Sequence, residues 1–298
     1  MINRRSFLKS AGLGAAALAV PTTVGVEQLL ASESSRGRKP NVLFVVSDDL
    51  NDWIGCLGGH PDSVTPHIDR LAERGVLFER AYCHAPLCNP SRASLLTGLL
   101  PSTTGVYHNR QPFRMSEIGR DAVTLPQYFK SNGYRVMGAG KITHGKVPDP
   151  VSWDEIAGVR GRPKPDEDPA KGYVRVGEIA FGPLDVGDEE TKDYRVVQWG
   201  IDRLKKKHDR PFFLACGLRN PHPDWHVPRK YFDKFPPDEV TLPEVPDDDL
   251  DDVPPMGVGF TKRELHRRVV QAGKWREAVA AYLATIHFVD AQAVSYTH

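Results

Sequence analysis

Apolar runs broken by glycine, proline and acidic residues divide the chain into alternating strands and helices. Asn41-Val42-Leu43-Phe44-Val45-Val46-Ser47 is a continuous, β-branched run, the pattern of a strand buried on both faces of a parallel sheet. Thr65 to Gly75 has a Thr cap, Pro at the first helical position, amphipathic spacing and a terminal Gly, which predict a short helix. Val76 to Tyr82 reads as a strand leading into Cys88-Asn89-Pro90-Ser91-Arg92. Pro90 suits the first turn of a helix, Leu95 and Leu96 can face a core, and Gly98 can end the helix. Thr124 to Gly133 predicts a helix and Tyr134 to Ala139 the strand after it. Trp153 to Gly187, rich in Gly, Pro and charge, reads as a long surface excursion. Glu189 to His208 has helical periodicity, and Pro211 to Leu218 is a second buried strand. Glu244 to Pro255 is acidic and proline-rich, a solvated loop; Thr261 to about Val294 is helical, weakened at Gly273, with Leu283, Ile286 and His287 on one face.

This order predicts an α/β fold: a mixed, largely parallel central sheet with helices on both faces. No internal repeat is evident. The 298 residues are 40% hydrophobic and 26% charged, which suits one large globular domain or two small ones. A net charge of +1 gives no sign of a nucleic-acid or membrane partner. Cys56, Cys83, Cys88 and Cys216 form no CxxC pair and no zinc spacing, and a disulfide is not indicated. Asn3-Arg4-Arg5-Ser6-Phe7-Leu8-Lys9, followed by the short, weakly apolar run Ala11 to Val20, resembles a twin-arginine export signal. Residues 1–31 are therefore expected to be a leader, 32–39 a linker and 40–298 the folded domain, with the twin-arginine translocase as partner and the periplasm or exterior as destination.

The chemistry collects at strand ends. Asp48 and Asp49 follow the first strand, on the edge where open α/β sheets bind ligands. Two carboxylates about 4 Å apart repel by roughly 4 kcal/mol at an effective dielectric of 20, which a calcium or magnesium ion between them would relieve; the alternative is a solvated turn. Lys141 and His144 stand just past the second strand, and His222 just past the next. Cys88 sits at a helix N-terminus, where N–H groups and the helix dipole favour an anion or a thiolate, and Arg92 lies one turn on. Read alone, each has a plainer explanation: a surface histidine, a turn stiffened by prolines, a structural ion pair, a buried cysteine. Together they describe one anion-directed crevice.

Cys88-x-Pro90-Ser91-Arg92 followed by Leu95-Leu96-Thr97-Gly98 resembles the signature of sulfatases, in the alkaline-phosphatase-like superfamily. The likeness extends to Pro40-Asn41-Val42-Leu43-Phe44-Val45-Val46-Ser47-Asp48-Asp49-Leu50 and to Pro66-His67-Ile68-Asp69-Arg70-Leu71-Ala72. Gly140-Lys141-Ile142-Thr143-His144, with two residues between Lys and His, is similar to the iduronate-2-sulfatase branch, as is Pro211-Phe212-Phe213-Leu214 with Pro221-His222. The resemblance implies that Cys88 becomes formylglycine (3-oxoalanine), whose hydrate is the nucleophile, through a formylglycine-generating or sulfatase-maturing enzyme. It implies calcium (Ca2+) on Asp48, Asp49 and the modified Cys88, and Arg92 holding the hydrate. It implies His144 as the base that collapses the sulfated intermediate. Lys141 and His222 would grip the ester of a sulfated sugar or polysaccharide, with iduronate 2-sulfate-type sugars the nearest guess.

Sulfatases of this kind continue beyond Phe288-Val289-Asp290-Ala291-Gln292 to an Asp-His or Asp-Asn pair that completes the calcium shell, and no such motif is found here. The fold is therefore expected to be incomplete at the C-terminus and the chain weakly active or inactive. Two further readings stand beside the sulfatase: a metal-dependent phosphoesterase or phosphonate hydrolase of the same superfamily, disfavoured by Cys88, and a catalytically dead anion- or glycan-binding remnant.

Overall fold

The structure is a computed structural model that describes residues 39–144, 149–159, 161–246, 248–259, 261 and 263–294. The chain divides after Pro40 into two units, of which the second, Asn41–His298, is compact. The expected leader, 1–31, lies outside the described residues, as does all of the expected linker except Lys39. The strands and helices named below all belong to the second unit.

Among the described residues six strands are formed: β1 (Val42–Asp48), β2 (Arg135–Gly140), β3 (Glu155–Ala157), β4 (Val174–Val176), β5 (Ile179–Phe181) and β6 (Phe212–Pro221). The longer helices are α1 (Pro66–Arg74), α2 (Cys88–Thr97), α3 (Leu125–Ser131), α4 (Lys192–Leu204), α5 (Arg263–Gln271) and α6 (Trp275–Val294). Four strands make one sheet in the order β1-β6-β2-β3, and every pairing in it is parallel. The antiparallel pair β4-β5 stands apart from it.

Alternation along the strands builds two cores. Val136, Phe213 and Ala215 face Leu96 of α2, with Leu125 and Phe129 of α3 packed alongside. Met137, Leu214 and Cys216 point the other way, against Val196 and Val197 of α4 and Val289 of α6. Burial of each large apolar side chain stabilises by roughly 1.5–3 kcal/mol, so the two-sided apolar runs that identified β2 and β6 also hold helices to both faces. The helix ends follow their expected chemistry: Thr124 and Gln127 close a capping box on α3, and Gly98 ends α2 in the left-handed conformation.

Five expectations are corrected. Val76–Tyr82 forms no strand; it finds no ladder partner and leaves Phe78 75% and Tyr82 83% exposed. β1 lies at the sheet edge rather than between two strands, so it is only partly buried. Leu96 enters the core but Leu95 is exposed, because adjacent helical positions diverge by about 100°. The Trp153–Gly187 stretch contains β3, β4 and the fully buried β5, with Ile179 and Phe181 packed under α5 and α6. The final helix is two helices, parted at Gly273, where φ is +65°.

Candidate functional site

The C-terminal ends of β1, β6 and β2 and the N-terminus of α2 meet in one crevice. Two glycines permit the approach. Gly140 has a φ of +78° and its Cβ would collide with the Gly217 carbonyl; a Cβ on Gly217 would collide with the Lys141 backbone. Lys141 N then donates to Gly217 O at 2.7 Å, which turns the chain after β2 across the end of β6.

Asp48 is the centre. It is buried at the end of β1, and Arg92 Nη2 donates to its Oδ1 at 2.5 Å. The Lys141 ammonium is paired with its Oδ2. Cys88 Sγ lies 3.8 Å from the same oxygen and 3.7 Å from Lys141 Nζ. His222 Nε2 is 4.0 Å from it. Ligand atoms of Asp48, Cys88 and His222 all fall within 4.8 Å of one another. Arg92 is locked from behind, since its Nη1 donates to the carbonyls of Lys141 and Ile142. Cys88 is the first residue of α2 and not the one before it. Asn89 anchors that end, its Nδ2 donating to His108 O at 2.8 Å and Gln111 O at 2.7 Å.

The other two expected residues stand further out. Asp49 is exposed and left-handed at φ +65°, a conformation that Asp tolerates better than most residues. It is outside the close trio of ligand atoms, although its charge is felt at Cys88. His144 lines a small crevice with Asn89, Arg92 and Phe113, along the side of α2.

Electrostatics follow from this geometry. Burial would raise the Asp48 carboxyl, but Arg92 and Lys141 outweigh it and hold the group below the ordinary carboxylate range. Burial pushes the Cys88 thiol up; Asp48 and Asp49 add to this and Lys141 and Arg92 oppose it. The thiolate expected from the helix N-terminus is therefore disfavoured. Burial and the Lys141 charge lower His222, against a hydrogen bond to Pro223 O.

Sequence reasoning missed the residue that sets the His222 loop. Asp193, buried on α4, accepts from Arg219 N, Asn220 N and Asn220 Nδ2, each at 2.9 Å. An Asp in the polar run that begins at Asp188 looks like any surface acid. Its position in the first turn of a helix was the one available signal.

Fold and crevice together define an α/β protein with a cluster of charged side chains at the carboxyl edge of a parallel sheet. The sulfatase family profile matches residues 40–294, and the chain belongs to that family. A twin-arginine translocation signal profile matches residues 1–21, which indicates export to the periplasm or beyond. Among the described residues no helix is long and apolar enough to cross a membrane. A sulfatase of Formosa agariphila is 38% identical over 271 residues, covering 85% of this chain and 53% of that protein. Human iduronate 2-sulfatase is 30% identical over 291 residues, covering 85% and 50%. The chain thus spans about half the length of the curated relatives it matches. A solved 2-O GAG sulfatase superposes with TM-score 0.59 at 25% identity, over 87% of this chain and 54% of that one. The phosphonate monoester hydrolase of Agrobacterium radiobacter superposes with TM-score 0.64 at 21% identity, over 85% and 57%, which shows a shared fold alone.

Proposed function

We infer that the protein is a sulfuric ester hydrolase acting on sulfated glycans, with 2-O-sulfated uronate units of the iduronate type as the nearest substrate. The observation that carries the reading is the gathering of Cys88, Arg92, Lys141 and His222 around Asp48, in a chain whose signature and family are those of sulfatases. The human relative named for iduronate 2-sulfate and the solved 2-O GAG sulfatase support the choice of sugar.

The donor set fits a hard cation with one condition. A cation already bridges it, because the Lys141 ammonium sits against Asp48 Oδ2 and within 3.7 Å of Cys88 Sγ. Sulfur is a poor partner for calcium, so position 88 joins such a shell only once it carries oxygen. Asp48, Asp49 and an oxygen at position 88 would then hold the ion. Oxidation of Cys88 to formylglycine would supply a hydrated aldehyde as nucleophile, and calcium would lower the cost of its negative charge. The remaining work falls to side chains already in place. Arg92 and Lys141 set two fixed positive charges at the N-terminus of α2, where charge grows on the sulfuryl oxygens. His222, neutral near pH 7 because burial lowers it, can take or give a proton at Nε2 beside the leaving oxygen. His144, on the Arg92 side, would act as a second proton carrier, the base that collapses the sulfated intermediate. The maturing enzyme would meet Cys88 before export, in the compartment where folding occurs.

Expression in a host that makes formylglycine, followed by mass spectrometry of the peptide bearing Cys88, tests the reading. The expected result is loss of the thiol mass and gain of the aldehyde. Release of the alcohol from an aryl sulfate, at least a hundredfold faster than from the aryl phosphate, is the second expected result. An unmodified thiol, or preference for the phosphate, overturns it.

A further inference from the structure

A second recess adjoins the crevice and shares its two loops. Its volume is about 350 Å3, within the range of small-ligand sites. Trp53, Trp225, Trp275 and Tyr282 form its walls, and Asn51 and His266 supply polar groups at its rim. Tyr282 Oη donates to Asp49 O at 2.8 Å and accepts from Asn51 N at 3.2 Å, which ties the wall to the turn after β1. Trp225 Nε1 donates to Pro221 O at 2.7 Å, which ties it to the His222 loop. Ring centroids lie 5.4 Å apart for Trp53 and Tyr282, 5.3 Å for Trp225 and Tyr282 and 5.1 Å for His266 and Trp275. Each loop therefore offers a candidate ligand to the crevice, Asp48 or His222, and an indole to the recess.

Among the described residues no Asp, Glu, Lys or Arg lines the recess, in contrast to the crevice beside it. Its aromatic walls therefore favour an uncharged occupant. A wall of aromatic faces attracts the C–H face of a pyranose ring, whose hydroxyls at the edge still need hydrogen-bond partners. Asn51 and His266 provide them, and a plain hydrocarbon would leave them unused. We propose that this recess binds a neutral, unsulfated pyranose unit adjacent to the sulfated one, so that the preferred substrate alternates charged and uncharged sugars. The proposal rests on the sulfated-glycan reading above and specifies the second half of that substrate.

Saturation-transfer NMR and tryptophan fluorescence on the full chain test it, with inorganic sulfate, a neutral hexose disaccharide, a disaccharide of a 2-O-sulfated uronate and an unsulfated hexosamine, and its doubly sulfated counterpart as probes. The expected result is saturation transfer to the ring C–H protons of the unsulfated unit. Trp275→Ala should weaken the sulfated disaccharide at least tenfold while leaving inorganic sulfate unchanged. Because Trp275 also packs in the core, His266→Ala at the exposed rim serves as the second variant, with a smaller, roughly threefold loss. Unchanged disaccharide affinity in both variants, or a doubly sulfated disaccharide that binds as tightly as the singly sulfated one, overturns the proposal. The two readings separate cleanly. Sulfate binding with no saccharide in the recess defeats only this inference, whereas a neutral disaccharide bound through Trp275 without conversion of Cys88 defeats only the hydrolase.

Discussion

The carboxylate at the end of β1 and the carboxylate near the end of α6 are both buried, and they are held in opposite ways. Asp48 is gripped by two cations, Arg92 and Lys141, which hold its pKa below the ordinary range. Asp290 is gripped chiefly by backbone: His67 N and Ile68 N, in the first turn of α1, donate to its Oδ1 at 3.0 and 2.7 Å. Burial raises the Asp290 pKa, even though these N–H groups and the charges of His67 and His287 pull the other way. Asp193 resembles Asp290, since its partners are two backbone N–H groups and one amide. Ion partners can be exchanged for a metal or a substrate without unfolding anything. Backbone partners cannot, because they are the ends of helices and strands. The carboxylate of the crevice is thus the one paired with side-chain cations, and those behind it are built into the backbone.

Removing Asp48 should have the largest effect on stability. Asp48→Ala leaves the buried Arg92 guanidinium without its counter-ion, and breaking a buried pair from one side costs about 3–5 kcal/mol. Urea unfolding should show a loss of that size. Lys141→Ala should cost far less, because Arg92 still neutralises Asp48. Equal losses from the two variants would mean that the crevice is held by the lysine instead.

Asp193 comes next. Asp193→Ala strips the acceptor from Arg219 N, Asn220 N and Asn220 Nδ2 in a buried setting, for about 1–3 kcal/mol. Amide exchange at residues 219 and 220 should accelerate at least tenfold while that of β2 stays as it was. Protection retained at both amides would show that β6, not Asp193, fixes the loop that carries His222.

How far these roles could be read from the sequence depends on their range along the chain. β2 and β6 were legible because apolar runs report two-sided burial directly, and β1 was legible as a strand although its run overstated its burial at the sheet edge. The helix around Cys88 was legible because Pro90 and Gly98 are local signals. The crevice members followed, since a strand end locates its next residues. β3 and β5 were not legible: three-residue strands carry no usable period, and Ile179–Phe181 sits inside a Gly- and Pro-rich stretch. Val76–Phe78 misled for the converse reason, because an apolar run becomes a strand only when an edge is there to receive it. Asp193 and Asp290 were invisible as clamps. Their partners lie 26 and 222 residues away, and nothing local separates a buried acid from a solvated one.

The smallest expected effect is also the one that distinguishes the two kinds of carboxylate by sign. A group whose folded pKa is raised contributes stability that is complete below its unfolded value, about 3.9 for Asp, and that is lost as pH rises through the folded value. Asp290 is such a group. Asp290→Asn keeps an oxygen for His67 N and Ile68 N but cannot ionise, so at pH 7 it should lie within about 1 kcal/mol of the parent. The parent's advantage over the variant should be greatest near pH 4 and should shrink toward pH 7. Urea unfolding of both proteins at three pH values between these limits measures the slope. An advantage that instead grows with pH would mean that the N–H groups of α1 outweigh burial at Asp290, and that this carboxylate, like Asp48, is held for its charge.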